Sequence, residues 1–159
     1  MAEIRRQVIR LAREFPQVCL VVGGIPEVYR LFDSLPESRR VFLPPVGADL
    51  HPALLAEMDI LLVPLRDTPS NRMLSDRPLM AAGVRRIPWV ASPIPAHRQW
   101  SEGGLLAATP DEWHGCLRRL ILSPAEREQL GEAGRHKAEE RETGRLGEAW
   151  FKAVGKSSD

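Results

Sequence analysis

The sequence predicts an α/β fold, namely a Rossmann-like three-layer domain with about five parallel strands and a helical C-terminal extension. Short apolar runs alternate along the chain with segments of helical periodicity, and this alternation is typical of a parallel sheet covered by helices. The run from Ile60 to Val63 is apolar throughout, as in a strand that is buried on both faces. The 159 residues suffice for one such domain with a hydrophobic core.

Helix and strand signals alternate through the first half of the chain. Ile4, Val8 and Leu11 recur at helical spacing and predict an amphipathic helix over residues 2–14. The elements predicted after it are a strand at 18–22, a helix at 26–34, a strand at 41–43 and a helix at 49–57.

A strand, a polar loop, a helix and another strand are predicted to occupy residues 60–91. The loop runs from Pro64 to Ser75, and Ser75 and Asp76 are residue types that cap the N-terminus of a helix. In an open parallel sheet, ligands bind at the carboxyl ends of the strands, where loops meet helix N-termini. Because free amides and the helix dipole favour anions, this loop is a candidate phosphate site.

The C-terminal third is predicted to be mainly helical, after a short strand at 105–107. Thr109 and Ser123 are each followed by proline, which combines a capping residue with the residue favoured at the first helical position. These two signals predict two further helices. The second is expected to reach about Val154, with a break near residues 143–144.

Composition and spacing exclude several classes of function. The net charge of +1 argues against a protein that binds nucleic acid electrostatically. Cys19 and Cys116 are interpreted as buried free thiols, and the four histidines lack zinc-ligand spacing, so no metal site is predicted. Dinucleotide-binding and P-loop patterns are absent from the sequence. With neither a membrane-spanning apolar run nor a signal peptide, a cytoplasmic location is predicted.

Residues 59–92 carry the sequence DILLVPLRDTPSNRMLSDRPLMAAGVRRIPWVAS. This stretch resembles the donor-binding domain of GT-B glycosyltransferases of the retaining, nucleotide-sugar-dependent group 1 type. The likeness extends to the segments Val21–Gly24, Val41–Pro44, Gly103–Leu106 and Thr109–Trp113. The resemblance implies a GT-B donor-binding-like domain over residues 1–142, and a C-terminal helical extension and tail over residues 143–159.

The resemblance also implies a site for a nucleoside-diphosphate sugar, which is a substrate, with no cofactor and no metal. The implicated residues lie where the family holds the donor diphosphate, approaches the ligand with backbone, or holds the nucleobase. They are Gly23, Gly24, Val46, Asn71, Arg72, Ser75, Asp76 and Arg77. Catalytic residues are not identified.

Each of these assignments has a plainer structural alternative. Gly23 and Gly24 also suit an ordinary strand-to-helix turn. The two prolines before Val46 favour a turn that caps the sheet, since proline has no amide to donate. Ser75 and Asp76 could act only as helix caps, and an arginine is most often a solvated surface charge.

The sequence departs from the family pattern at polar positions of the site. Leu74 and Pro78 stand where the family has lysines, and Ala81 stands where it has the glutamate that binds the donor ribose. Losing one such charged hydrogen bond typically costs about 1.5–3 kcal/mol. Arg86 replaces a family glycine before the next strand. These departures support an alternative function, a non-catalytic glycosyltransferase-like interaction module that has lost the donor site.

A further departure lies at the start of the chain, which opens with a predicted helix. In the family, a strand with a glycine-containing loop begins the donor domain, and an acceptor-binding domain precedes it. The resemblance therefore implies an incomplete cleft, an inactive isolated chain, and an N-terminal acceptor domain or separate partner subunit as the missing half. Near the implied cleft, Trp100 is a candidate for the lining. His97 could face the sugar or acceptor, but an exposed loop histidine is the expectation.

Overall fold

Five parallel strands in two sheets organise the computed structural model, which describes residues 4–45, 54–74 and 76–141. The two-stranded sheet pairs β1 (Leu20–Gly23) with β2 (Arg40–Leu43). The three-stranded sheet has the order β3-β4-β5, formed by Leu61–Val63, Trp89–Ala91 and Gly104–Leu106. Both sheets are parallel throughout, as predicted for an α/β domain.

Seven α-helices connect and flank the strands within the described residues. They are α1 (Arg5–Glu14), α2 (Pro26–Arg30), α3 (Pro69–Arg72), α4 (Arg77–Val84), α5 (Pro95–Arg98), α6 (Pro110–Leu122) and α7 (Pro124–Glu140). Short 3₁₀ turns at Glu37–Arg39 and Ser101–Gly103 precede β2 and β5. No described helix is long and apolar enough to cross a membrane.

The two faces of the sheets pack into two separate hydrophobic clusters, which makes the fold three-layered. Alternate strand residues such as Leu62 and Val90 join a cluster that contains the buried side chains of α1 and α6. Their neighbours Leu61, Trp89 and Ala91 join the other cluster, with α4 and α7. This alternation follows from the two-residue period of a strand, and it confirms the predicted three-layer domain.

The close approach of α4 and α7 depends on glycine. Trp89 is fully buried and fills the space between the sheet and α7. A Cβ on Gly134 would lie 2.9 Å from Cζ3 of Trp89, and a Cβ on Gly131 would overlap the Arg86 carbonyl oxygen. Only glycine, which has no Cβ, lets the helix backbone lie this close to its neighbours.

The two predicted helix starts at Thr109 and Ser123 are confirmed. Thr109 Oγ1 accepts a hydrogen bond from the Glu112 amide at 3.3 Å, while the Glu112 carboxylate accepts one from the Thr109 amide at 3.0 Å. Ser123 Oγ accepts from the Glu126 amide at 3.2 Å. Each side chain satisfies an amide that the first helical turn leaves unpaired.

Some predicted details are wrong, and others lie outside the described residues. The helix predicted over 26–34 ends at Arg30, where the chain continues as turns with i→i+3 hydrogen bonds. These turns place Phe32 and Leu35 in the core, where both are buried. Both cysteines are free, but Cys19 is exposed ahead of β1 and Cys116 is half-buried. The helix predicted over 49–57 lies mostly outside the described residues, and the break at 143–144 lies wholly outside them.

Candidate functional site

The carboxyl ends of the parallel strands form the edge at which a ligand site is expected. Within each sheet the strands run in the same direction, so β1 and β2 end together at Gly23 and Leu43. In the other sheet, Val63, Ala91 and Leu106 end at one level. Loops from these ends lead to the helices, which is the usual ligand position in open α/β sheets.

The turn after β1 leaves open space beside its backbone. Gly24 has φ +111°, a conformation that L side chains rarely adopt, and its amide donates to the Leu43 carbonyl at 3.1 Å. A Cβ on Gly23 or Gly24 would have no heavy atom within 4 Å. The turn therefore requires glycine at position 24, and both glycines leave room for a ligand to approach the backbone.

A cavity of about 850 Å³ opens beside this turn, between β1 and β3. Its rim at the strand ends is mostly apolar and consists of Gly23, Gly24, Leu43, Pro44, Pro45, Pro64 and Leu65. The cavity thus brings the predicted Gly23-Gly24 pair together with the ends of β2 and β3. Among the described lining residues there is none from positions 71–77.

The loop after β3 is built around α3, a helix that the sequence analysis did not predict. Thr68 caps it, because Thr68 Oγ1 accepts from the Asn71 amide at 3.2 Å. The Asn71 side chain donates to the Arg66 carbonyl at 2.8 Å. Thr68-Pro69 is the same cap-and-proline signal that marks α6 and α7, so α3 was detectable from the sequence.

Arg72 is held by a carboxylate within the same loop. Its Nε and a terminal nitrogen donate to the two oxygens of Asp67 at 2.5 and 2.9 Å. The hydrogen bond from Arg72 lowers the pKa of the Asp67 carboxyl. Both side chains are exposed, so the pair is a surface contact that solvent screens. Asp67 engages two of the five N–H donors of this guanidinium, so a phosphate would either share the side chain with that carboxylate or replace it.

Asp76 binds partners elsewhere in the chain instead of capping α4 with its side chain. Its Oδ2 accepts from Trp100 Nε1 at 2.8 Å and also from Arg141. Arg77 begins α4 and is exposed, and Pro78 follows it. Because proline has no amide, the first turn of α4 offers fewer N–H groups to an anion than an ordinary helix start. Ser75 and Val46 lie outside the described residues.

His97 is buried, so the expectation of an exposed loop histidine is wrong. It is 1% exposed, and its Nδ1 donates to the Ser92 carbonyl at 2.7 Å, while Nε2 has no hydrogen-bond partner among the described residues. Burial lowers the pKa of His97, against the opposing effect of that hydrogen bond. Ser92 Oγ in turn accepts from the Leu65 amide at 2.8 Å. The Ser92 hydroxyl thus connects the loop after β3 to the end of β4.

Trp100 is also buried, packed edge-on against Trp89 with ring centroids 6.1 Å apart. Because Trp100 is fully buried, the expectation that it lines a cleft is wrong; its side chain instead donates to Asp76. Ile94, His97 and Trp100 are spaced three residues apart and all three are buried. That spacing, which places them on one side of a helical turn, is the sequence signal that predicts their burial.

The positions that depart from the family pattern have distinct environments. Ala81 is partly buried on α4 and packs against the hydrophobic cluster that contains Trp89. Leu74 is 47% exposed. Arg86 has φ 57°, the left-handed conformation that favours glycine. The described residues contain no group of three or more histidine, cysteine or acidic side chains that could hold a metal ion.

A family model described as glycosyl transferase-like matches residues 5–145. The chain is also similar to solved structures of low sequence identity, which support the fold. One is Alr3699/HepE of Anabaena in complex with UDP and glucose, with a TM-score of 0.74 and 18% identity over 97% of this chain and 45% of that one. No curated protein matches the chain.

Two further structures have similar scores. WaaG, a glycosyltransferase involved in lipopolysaccharide biosynthesis, has a TM-score of 0.70 and 18% identity over 98% of this chain and 44% of its own. The C-terminal domain of LpcC, a group 1 family glycosyl transferase from Francisella tularensis, has a TM-score of 0.70 and 15% identity over 88% of this chain and 77% of its own. The chain thus spans less than half of the HepE and WaaG chains.

Proposed function

Because the chain belongs to the glycosyl transferase-like family, we propose that it forms the donor-binding half of a glycosyltransferase that takes a sugar from a nucleoside diphosphate. The observation that carries this proposal is the agreement between the family match and the fold of a protein solved with UDP and glucose. The strand-end edge with its open glycine turn supports it, since donor binding needs close backbone approach.

The diphosphate is expected at the loop and helix start that contain Asn71, Ser75 and Arg77. Backbone amides and the dipole of α4 favour the negative charge there, and Arg77 adds a positive side chain. Gly23 and Gly24 admit the sugar or phosphate to the backbone, and backbone groups near Val46 hold the base. The same amides and arginines would stabilise the nucleoside diphosphate that leaves during transfer, without an obligatory metal.

Binding of a nucleoside diphosphate is expected to be weak, because the charged side chains near the loop already have partners and the ribose carboxylate is missing. Arg72 is already paired with Asp67, and Asp76 is already bound by Trp100 and Arg141. Ala81 has no carboxylate for the ribose hydroxyls. We therefore expect a Kd for UDP or GDP in the millimolar range, which corresponds to about −4 kcal/mol.

Calorimetric titration of the chain and of Ala81→Glu, with UDP, GDP and inorganic pyrophosphate, tests the proposal. Restoring the carboxylate should tighten nucleotide binding about tenfold, because a charged hydrogen bond to ribose is regained. Pyrophosphate has no ribose, so its affinity should stay nearly unchanged. Ala81→Gln is the matched control, since it has nearly the same size as glutamate without the charge.

The contribution of Arg77 to phosphate binding is tested separately. Arg77→Ala should weaken the binding of UDP and of pyrophosphate by a similar factor. If nucleotide binding is undetectable both before and after Ala81→Glu, the donor site is absent. The interaction-module hypothesis should then replace the enzyme hypothesis.

A further inference from the structure

Three arginines form a row along the outer face of α1. Arg6, Arg10 and Arg13 are spaced four and three residues apart, and all three are exposed. At 3.6 residues per turn they fall within an arc of about 60°, and the row is about 10 Å long. These three side chains are called the arginine row below.

The arginine row lies opposite the side of α1 that packs into the core. Val8, Leu11 and Ala12 are buried in the cluster that α1 shares with α6, and the helical period places them on the other side of the helix. The row therefore points away from the sheet and into solvent. A flat surface that approaches this helix from outside meets all three guanidinium groups at once.

The acidic residues that follow the row in the sequence are already paired. Glu14 bonds to Arg118 of α6 at 3.0 Å, and Glu27 pairs with Arg30 within α2. Glu3, which precedes the row, lies outside the described residues. No member of the arginine row has an ion-pair or hydrogen-bond partner among the residues that the structure describes. The row thus presents three positive charges that are not neutralised within this part of the chain.

The placement of these charges disfavours α1 as a helix. Neighbouring members of the row repel each other, because like charges three or four residues apart lie side by side on a helix. Arg5 and Arg6 occupy the first turn, which holds no acidic residue and where the helix dipole disfavours cations. At the other end Arg39 donates to the Ala12 carbonyl, so that end has a cation without Arg13. Charges that oppose local stability in this way are typical of a functional surface.

The composition of α1 favours one kind of anionic partner. Protein interfaces are centred on apolar or aromatic anchors, whereas Ile4, Val8 and Leu11 are already buried in the core. Single-stranded nucleic acid needs aromatic side chains for stacking, and α1 has none. A duplex needs a wide positive field, and the net charge of the chain is only +1. The anionic surface of a bilayer needs only basic residues on the outer face of a helix.

We propose that α1 docks, through the arginine row, on the surface of a bilayer that contains anionic phospholipids. The contact is electrostatic and peripheral, because the apolar side of α1 stays packed in the domain. α1 covers a face of the sheet, while the candidate ligand site lies at the strand ends, so docking leaves that site uncovered. The proposal does not depend on nucleotide binding.

Co-sedimentation of the chain with lipid vesicles tests the proposal. The vesicles contain phosphatidylcholine alone, or phosphatidylcholine and phosphatidylglycerol in equal parts. Binding is measured at about 0.1 M and about 1 M salt, because the screening length falls from about 10 Å to about 3 Å between them. One variant carries glutamine at all three positions of the row, and another carries lysine there. The matched control carries glutamine at three exposed arginines elsewhere in the chain, namely Arg85, Arg86 and Arg98.

The unaltered chain should bind the anionic vesicles, ignore the neutral ones, and be released at the higher salt concentration. Glutamine in the row should weaken binding about fivefold for each arginine replaced, and about a hundredfold in total. The control should lose less than fivefold, although the same number of charges is removed. The lysine variant should bind nearly as well as the unaltered chain, since the contact depends on charge.

Equal losses in the glutamine variant and the control would overturn the proposal. Equal binding to both kinds of vesicle would also overturn it, as would no binding of the unaltered chain to the anionic vesicles. Row-dependent binding to polyglutamate or duplex DNA without vesicle binding would assign the row to an acidic macromolecule and exclude the bilayer. If circular dichroism shows that the triple glutamine variant does not fold, Arg10→Gln replaces it, with an expected loss of about fivefold.

Discussion

Arg86 shows how one residue can carry backbone strain. Its φ of 57° lies in the left-handed region, at the turn between α4 and β4. Its side chain pairs with Glu132 at 2.7 Å, but both groups are substantially exposed, so this contact offsets little of the strain. The family resemblance places a glycine here, which suits the conformation that the backbone adopts.

We expect Arg86→Gly to be more stable than Arg86→Ala by about 1 kcal/mol, because only glycine adopts this conformation without steric cost. Both variants lose the Glu132 contact, so their difference isolates the backbone effect. Urea unfolding of the two variants at neutral pH measures it. Equal free energies of unfolding would show that the turn relaxes at no cost.

His97 gives the fold a pH dependence whose sign can be stated. Its pKa is lowered in the folded protein by burial, so below about pH 6.5 the unfolded chain binds a proton that the folded chain does not. Stability is therefore full above pH 6.5 and falls as the pH decreases toward the lower folded pKa. The slope contributed by one proton is at most about 1.4 kcal/mol per pH unit.

Replacing this side chain by His97→Gln should flatten that part of the stability profile, measured by urea unfolding between pH 7.5 and 5. His136→Gln is the matched control, because His136 is 71% exposed on α7. If His97→Gln keeps the full slope of stability against pH, the group that titrates lies elsewhere in the protein.

Local chemistry made some residues of the site predictable and left others unpredictable. Thr109 and Ser123 bond to amides three residues away, and their roles could be predicted from the sequence. Asp76 has the same capping chemistry, yet its carboxylate binds Trp100, which is 24 residues away. A cap competes with any stronger long-range partner, and that partner is visible only once the chain is folded.

At the scale of elements, glycine sets how closely α7 packs. A Cβ on Gly131 would overlap the Arg86 carbonyl oxygen, which belongs to the backbone and cannot rotate away. Gly115, on the exposed side of α6, has nothing within 4 Å of its added Cβ. Both positions are helical glycines, but Gly131 is buried against the Arg86 backbone and Gly115 is exposed.

Gly131→Ala should therefore destabilise the protein by about 1–3 kcal/mol, the usual cost of overpacking. Gly115→Ala should stabilise it by about 0.5–1 kcal/mol, since alanine is the better helix former where space is free. Thermal unfolding of both variants decides the matter. If both substitutions raise the unfolding temperature, α7 moves away from α4 without loss of stability.

For the whole molecule, the alternation of strands and helices and the family were predictable, and both are confirmed. β1 and β3 lie on either side of a gap inside the domain. Both strands have ordinary apolar sequences, and the sequence of a strand does not say whether a neighbour occupies each of its sides. The domain boundary at residue 142 and the donor-binding residues remain predictions.

The last prediction concerns activity of the chain alone. It spans 45% of the HepE chain and 44% of the WaaG chain, and the family resemblance implies an active site in a cleft between two domains. A donor site without the opposing acceptor groups binds nucleotide but cannot orient a second substrate for transfer. We expect the purified chain to release no UDP or GDP from the corresponding nucleotide sugars above the buffer rate. Ala81→Glu should bind UDP more tightly and still show no turnover, which separates binding from chemistry. Measurable release by either protein, absent from a heat-denatured sample, would show that these residues contain a complete catalytic site.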